Sequence, residues 1–187
     1  MTIGILALQG GFDLHRHVFE NLGQKAVLIK YPDQLQDCDG LVIPGGESTT
    51  MTMQMHSNGL FDSIYEFSQS HPVMGTCAGA ILMGNDVDDP RVTPLKIMNI
   101  ECQRNSWGRQ VFSFQSEIQL TFDPDKSFYA TFIRAPKMVP SDEKIEILAQ
   151  FNGEPILLTD GNHIAASFHP EIGTDYRIHE HYLRLLK

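Results

Sequence analysis

Three times in the first half of the chain, a short apolar run without polar alternation stops at a cluster of small residues. Residues 3–8 stop at Gly10-Gly11, residues 41–43 at Pro44-Gly45-Gly46, and residues 73–74 at Gly75-Thr76-Cys77-Ala78-Gly79. Such runs are strands buried on both faces, the condition of a parallel sheet with helices above and below it. Helical spacing supplies the covers: Leu14, Val18, Phe19 and Leu22 recur ahead of Gly23, and Leu60, Ile64 and Phe67 recur ahead of the third run. A further strand is expected at 26–29, with 35–38 as a short connector. The fold class is therefore α/β, with a mixed, mostly parallel central sheet and helices on both faces. Past Asp88, β-branched and aromatic alternation predicts antiparallel strands at 110–114, 117–120, 128–133, 145–151, 156–159 and 164–168. Ile178, Tyr182, Leu185 and Leu186 predict a closing amphipathic helix. No Gly/Ser/Pro-rich linker divides the chain, so residues 1–187 read as one domain.

Ligands of such sheets lie beyond the carboxyl ends of the strands, where Gly10-Gly11, Gly45-Gly46 and Cys77 fall. Cys77 stands where a strand turns tightly into a helix, the nucleophile-elbow context that lifts one side chain above the sheet. Most free cysteines are buried core thiols, but this one has chemistry to go with it. Residues 165–171, Ala-Ala-Ser-Phe-His-Pro-Glu, end a strand with His169 and place a carboxylate, Glu171, two residues on. An imidazole that takes the thiol proton and a carboxylate that orients the imidazole are what a cysteine nucleophile needs. The other histidines, His15, His17, His56, His71, His163, His179 and His181, have flanks that give no catalytic signal and read as surface or satisfied core residues. In the Pro44-Gly45-Gly46-Glu47-Ser48 loop, exposed backbone N–H groups suit a developing oxyanion, with the N–H of Ala78 as second donor.

Composition removes several classes of function. A net charge of −9 opposes a general nucleic-acid surface, which needs clustered Lys and Arg. The first apolar stretch is too short for a signal core or a membrane span. Three scattered cysteines form neither a disulfide framework nor a Cys-x-x-Cys metal or redox pair, so a reducing, cytoplasmic setting and no metal are expected.

The segments 44–49, 75–79 and 168–171 together resemble the class I (triad) glutamine amidotransferases. With Gly4-Ile5-Leu6-Ala7-Leu8-Gln9-Gly10, residues 104–110 (Arg-Asn-Ser-Trp-Gly-Arg-Gln) and residues 132–136 (Phe-Ile-Arg-Ala-Pro), the chain is most similar to the glutaminase subunits of pyridoxal 5′-phosphate synthase. The resemblance implies a flavodoxin-like three-layer sandwich and hydrolysis of L-glutamine to glutamate and ammonia, with no cofactor. The ammonia would go to a synthase subunit in a large hetero-oligomer, for vitamin B6 synthesis. It casts Cys77, His169 and Glu171 as the catalytic triad and Gly46 and Ala78 as oxyanion donors. Gly46, Glu47, Ser48, Arg104, Ile133 and Arg134 match the positions that hold glutamine. Free glutamine carries an α-carboxylate and an α-ammonium, so a cation and an acceptor are both required, and either arginine could be the cation. Trp107 reads as packing and Arg109 as surface. The family also implies a glutaminase that is poorly active until docked. Docking is expected near Gln9-Gly10-Gly11 and the Gly45-Gly46 loop, with a peptide flip there completing the oxyanion hole. Segments 86–90 and 137–143 are expected to be variable loops that touch no site residue. The rival readings are a glutaminase feeding imidazole glycerol phosphate synthesis, an elbow-cysteine hydrolase or redox sensor, and a binding module without activity.

Overall fold

The computed structural model describes residues 1–104 and 113–186. The expected strand residues 110–112, and the segment 105–110 with Trp107 and Arg109, lie outside the described residues.

The chain opens as β1 (Thr2–Leu6), α1 (Phe12–Asn21), β2 (Lys25–Ile29) and β3 (Gly40–Ile43), then α2 (Ser48–Ser57), α3 (Leu60–Ser68), β4 (Val73–Thr76) and α4 (Ala78–Met83). It continues with β5 (Asp86–Val87), β6 (Ile100–Gln103), β7 (Ser113–Leu120), β8 (Asp123–Ile133) and β9 (Lys137–Pro140). It closes with β10 (Glu146–Phe151), β11 (Glu154–Thr159), β12 (Ile164–Ala166) and α5 (Arg177–Leu183). Seven strands form the central sheet in the order β10-β11-β12-β4-β3-β1-β2. The block from β12 to β2 is parallel, and β10 and β11 add antiparallel to its edge.

Alternate side chains of one strand leave opposite faces of a sheet, and both faces here are buried. On β1, Ile3 and Ile5 enter one core and Leu6 the other; on β3, Val42 enters the first and Leu41 and Ile43 the second. The first core is closed by Phe19 of α1, Ile178 and Tyr182 of α5 and the inner face of the β7–β8 hairpin. The second is closed by Met51 and Met55 of α2, Leu60 and Ile64 of α3, and α4. Burying each such side chain contributes about 1.5–3 kcal/mol, so the uninterrupted apolar runs follow from having two cores to fill.

The described strands β6–β9, β7–β8, β10–β11 and β11–β12 are antiparallel as expected past Asp88, but β12 returns to the centre and pairs parallel with β4. That return carries the residues after β12 to the elbow. The segment 48–57 carries little helical signal in its sequence, because Thr and Ser are weak helix formers and its buried apolar side chains are only Met51 and Met55. It forms α2 because the Glu47 carboxylate caps it, accepting from the N–H groups of Thr49 and Thr50. The segments expected as loops at 86–90 and 137–143 contribute β5 and β9, which flank β6 in a second, three-stranded sheet. Among the described residues, no helix is long and apolar enough to cross a membrane.

Candidate active site

Cys77 joins β4 to α4 at φ 51° and ψ −107°, a conformation that costs a residue with a Cβ about 1–3 kcal/mol. Its N–H donates to Ala166 O of β12 at 2.8 Å and its carbonyl accepts from Ile81 N–H of α4, which holds the elbow from both sides. The turn closes tightly because of Gly79, where a Cβ would stand 1.8 Å from the Ile43 carbonyl oxygen of β3.

β12 runs parallel beside β4, so the residues that follow the two strands emerge at the same edge. His169 is pinned there by its N–H to Thr131 O, and its ring Nδ1 meets Glu171 Oε1 at 2.7 Å. Its other side-chain partner is Cys77. Burial alone would lower the His169 pKa, but hydrogen bonds and charge from Cys77 and Glu171 outweigh it and raise it to about 10. Glu171 is buried behind the ring; burial opposes its charge, yet His15 and His169 hold its pKa down to about 2. Gly45 leaves room for the imidazole, since a Cβ there would lie 2.6 Å from His169 Cε1.

A cavity of about 260 Å³ opens over Cys77 and His169. Gly46, Glu47, Ser48, Ala78, Arg104, Ile133 and Arg134, all expected from sequence, line it, while Glu171 stays behind the wall. The cavity is the right order of size for an amino acid and has polar groups of both signs. Ser48 Oγ is buried in its wall with no hydrogen-bond partner among the described residues. The two arginines differ. Arg104 binds Glu47 Oε1 at 3.1 Å, Thr49 Oγ1 and the Asp89 carboxylate, and its N–H donates to Asp88. Arg134, at φ 45°, is exposed at the mouth and forms no ion pair among the described residues. The expectation that segment 86–90 touches no site residue is thus wrong: Asp88 and Asp89 hold Arg104. Glu47, committed to the Thr49 and Thr50 N–H groups, is kept at a pKa of about 2 despite some burial.

Three groups in the site have signals that sequence reading passed over. His15 and His179, read as unremarkable, are fully buried, with His15 Nδ1 3.0 Å from His179 Nε2. His15 Nε2 lies 3.1 Å from Thr76 Oγ1 and 3.3 Å from Glu171 Oε2. Helical phase could have found both: His15 precedes Val18 and Phe19 by three and four residues, and His179 precedes Tyr182 by three. Leu14, counted on the apolar face of α1, is instead exposed. The third is Gln9, whose side-chain oxygen accepts from Glu47 N–H at 2.7 Å and ties the first turn to the glycine loop.

Burial lowers the pKa of His15 and His163, and that of His179 to about 3, from an unfolded value near 6.5. A histidine with a depressed folded pKa contributes stability that is full above 6.5 and lost as pH falls. The melting temperature is therefore expected to fall steadily between pH 6.5 and 4, before Glu171, held down to about 2, gives up its own contribution below 4.5. Calorimetric melts from pH 8 to 4 check this, with a flat profile against it.

A model of the SNO glutamine amidotransferase family matches residues 5–187. The pyridoxal 5′-phosphate synthase subunit PdxT of Actinobacillus pleuropneumoniae serotype 5b is 44% identical over 186 residues, which cover 100% of this chain and 96% of that protein. Its namesake from Thermosipho africanus is 42% identical with both chains covered in full. A crystal structure of a glutamine amidotransferase superposes with a TM-score of 0.92 at 35% identity, covering 98% of each chain. With the match running over nearly the whole length, and the elbow cysteine and the imidazole brought to one cavity with the carboxylate behind the ring, the chain belongs to the SNO glutamine amidotransferase family.

Proposed function

We infer that this chain is a glutaminase that hydrolyses L-glutamine and hands the ammonia to a pyridoxal 5′-phosphate synthase subunit, with Cys77, His169 and Glu171 as its triad. The observation that carries the reading is the Cys77–His169–Glu171 line at the elbow, with His169 Nδ1 2.7 Å from the carboxylate. Cys77, as thiolate beside the His169 imidazolium, attacks the side-chain amide carbon. The oxyanion forms against the N–H groups of Gly46 and Ala78. Collapse expels the amide nitrogen, which takes its proton from His169 and leaves as ammonia, with a γ-glutamyl thioester behind. Neutral His169 then removes a proton from water as that water attacks the thioester, the thiolate leaves, and glutamate is released. Glu171 keeps the ring oriented in both halves.

Arg134 is the cation for the α-carboxylate, because the charge of Arg104 is already matched by Glu47 and Asp89. Arg104 instead holds the acidic side of the pocket in place, with Glu47, Ser48 and the backbone of Ile133 completing the amino-acid site. Arg134→Gln is expected to raise KM for glutamine about tenfold to a hundredfold with kcat within about threefold, the loss of one charge-assisted contact. Steady-state kinetics in the presence of the synthase check it, and an unchanged KM would return the role to Arg104.

Ammonia released to water becomes ammonium and stops being a nucleophile, so docking on the synthase belongs to the reaction. The names of the relatives favour that partner over an imidazole glycerol phosphate synthase. A catalytic thiol, with Cys38, Cys77 and Cys102 all free, fits a reducing cytoplasm. Glutamate release by the purified chain, alone and with a pyridoxal phosphate synthase subunit, is the deciding assay. Turnover that rises sharply with the partner supports the reading, and an inactive pair overturns it.

A further inference from the structure

Glu171 has two oxygens, and the triad uses one. Oε1 accepts from His169, while Oε2 is buried, makes no hydrogen bond among the described residues and lies 3.3 Å from His15 Nε2. His15 comes from α1 and leads on to His179 of α5, so two helices from opposite ends of the chain meet behind the triad. Thr76, the last residue of β4 before the nucleophile, shares the same His15 nitrogen.

The protons in this chain can be placed by counting. Two neutral imidazoles carry two N–H groups, and the 3.0 Å contact between His15 Nδ1 and His179 Nε2 needs one proton between them. If His15 Nδ1 donated, its Nε2 lone pair would accept from the Thr76 hydroxyl but also face the Glu171 carboxylate, and His179 Nδ1–H would be a buried donor with no acceptor among the described residues. If His179 Nε2 donates, His15 Nε2–H donates to Thr76 Oγ1 with Glu171 Oε2 3.3 Å from the same nitrogen, and the orphan among the four ring nitrogens is the lone pair on His179 Nδ1. Orphaned buried donors are rarer than orphaned acceptors, and a carboxylate facing a lone pair is repelled. The second arrangement wins on both counts.

We propose that His15 and His179 are positioning residues of the glutaminase, a neutral imidazole pair whose N–H groups both point toward Glu171 and hold its carboxylate from the side opposite His169. Burial, the largest influence on each ring, keeps both uncharged, so His15 acts on Glu171 through an N–H dipole rather than a full charge. With Oε2 drawn toward the His15 N–H dipole, rotation of Oε1 away from His169 is opposed, and the ring keeps the orientation that both proton transfers need. The proposal rests on the glutaminase reading of the site.

The titratable groups that face Glu171 are His15 from α1 and His169 on its own segment, with His179 of α5 and Cys77 of the elbow behind them. Removing the His15 donor should therefore destabilise the carboxylate and move the acid limb of the kcat/KM profile to higher pH.

With the synthase present, His15→Leu is expected to lower kcat about tenfold to a hundredfold with KM for glutamine within about threefold, and to raise the acid limb. His15→Gln, which returns an N–H near the Nε2 position, should recover most of both. If the wild-type pair releases no glutamate, the glutaminase reading fails. If the wild type is active but His15→Leu changes neither kcat nor the limb, or the losses follow only the folded fraction and Gln is no better, the positioning role fails. Nitrogen-15 NMR of the unaltered chain needs no variant: both rings should be neutral with the proton on Nε2 across pH 6.5–8. Protons on Nδ1 in both rings would overturn the proposal.

Discussion

Cys77→Ala is expected to reduce glutamate release by more than about ten-thousandfold, to background, while leaving the fold in place. Loss of a nucleophile that acts as a unit with its base removes nearly all the catalysis the unit provides. Among the residues lining the cavity Cys77 is the only thiol, and Ser48, the nearest substitute in kind, sits on the loop after β3 rather than at the elbow. The backbone strain at φ 51° is the same for alanine as for cysteine, so the melting temperature should move by only a few degrees. The ring should register the change even though the fold does not. His169 owes part of its raised pKa to Cys77, so its titration, followed by NMR, should shift down in the variant. The sign for stability follows from the same shift. A histidine with a raised folded pKa contributes stability that is full below 6.5 and lost as pH rises through the folded value, about 10 here. The variant should therefore lose some of the wild type's advantage at neutral pH. Measurable turnover in Cys77→Ala with the synthase would mean that the elbow thiol is not the nucleophile.

Gly79→Ala is expected to cost about 3 kcal/mol or more, a fall of roughly 6–12 °C in melting temperature for a chain of this size. The added carbon would lie 1.8 Å from the Ile43 carbonyl oxygen and 2.7 Å from its carbon, both backbone atoms of a central strand that cannot swing aside. Either α4 lifts off the sheet or β3 bends, and each moves the elbow relative to His169. Activity should therefore fall more than tenfold in the protein that remains folded, since a misplacement of about 1 Å at the reacting groups costs on the order of a hundredfold. Calorimetry with single-turnover assays on the folded fraction checks both halves. A variant as stable and as active as the wild type would show that the contact between helix and strand relaxes at no cost.

The central strands, α1, α3 and the elbow were legible because each depends on neighbours a few residues away. Residues 41–43 are apolar without alternation, and Leu60, Ile64 and Phe67 keep helical phase. The elbow was legible because its small residues stand next to the cysteine they make room for. So was His169 with Glu171, since a carboxylate two residues from an imidazole needs no tertiary partner to be noticed. The limits of that reading are equally local. It missed α2, where a cap replaces propensity, and it made loops of β5 and β9, which are short and gain their pairing only from β6.

What sequence alone determined is therefore the α/β alternation, the position of the elbow cysteine and the family resemblance. Tertiary structure decided which groups share a partner. Arg104 reaches Glu47 across 57 positions and pairs with Asp89 as well, while Arg134 faces solvent at the cavity mouth. His15 and His179, 164 positions apart, meet because α1 and α5 pack on the same face of the sheet. Side-chain periodicity reports which face of an element is buried, and so could have marked both histidines as internal. It carries no record of sheet order or helix placement, and only those decide that the two internal rings touch each other and that one of them lies beside Glu171.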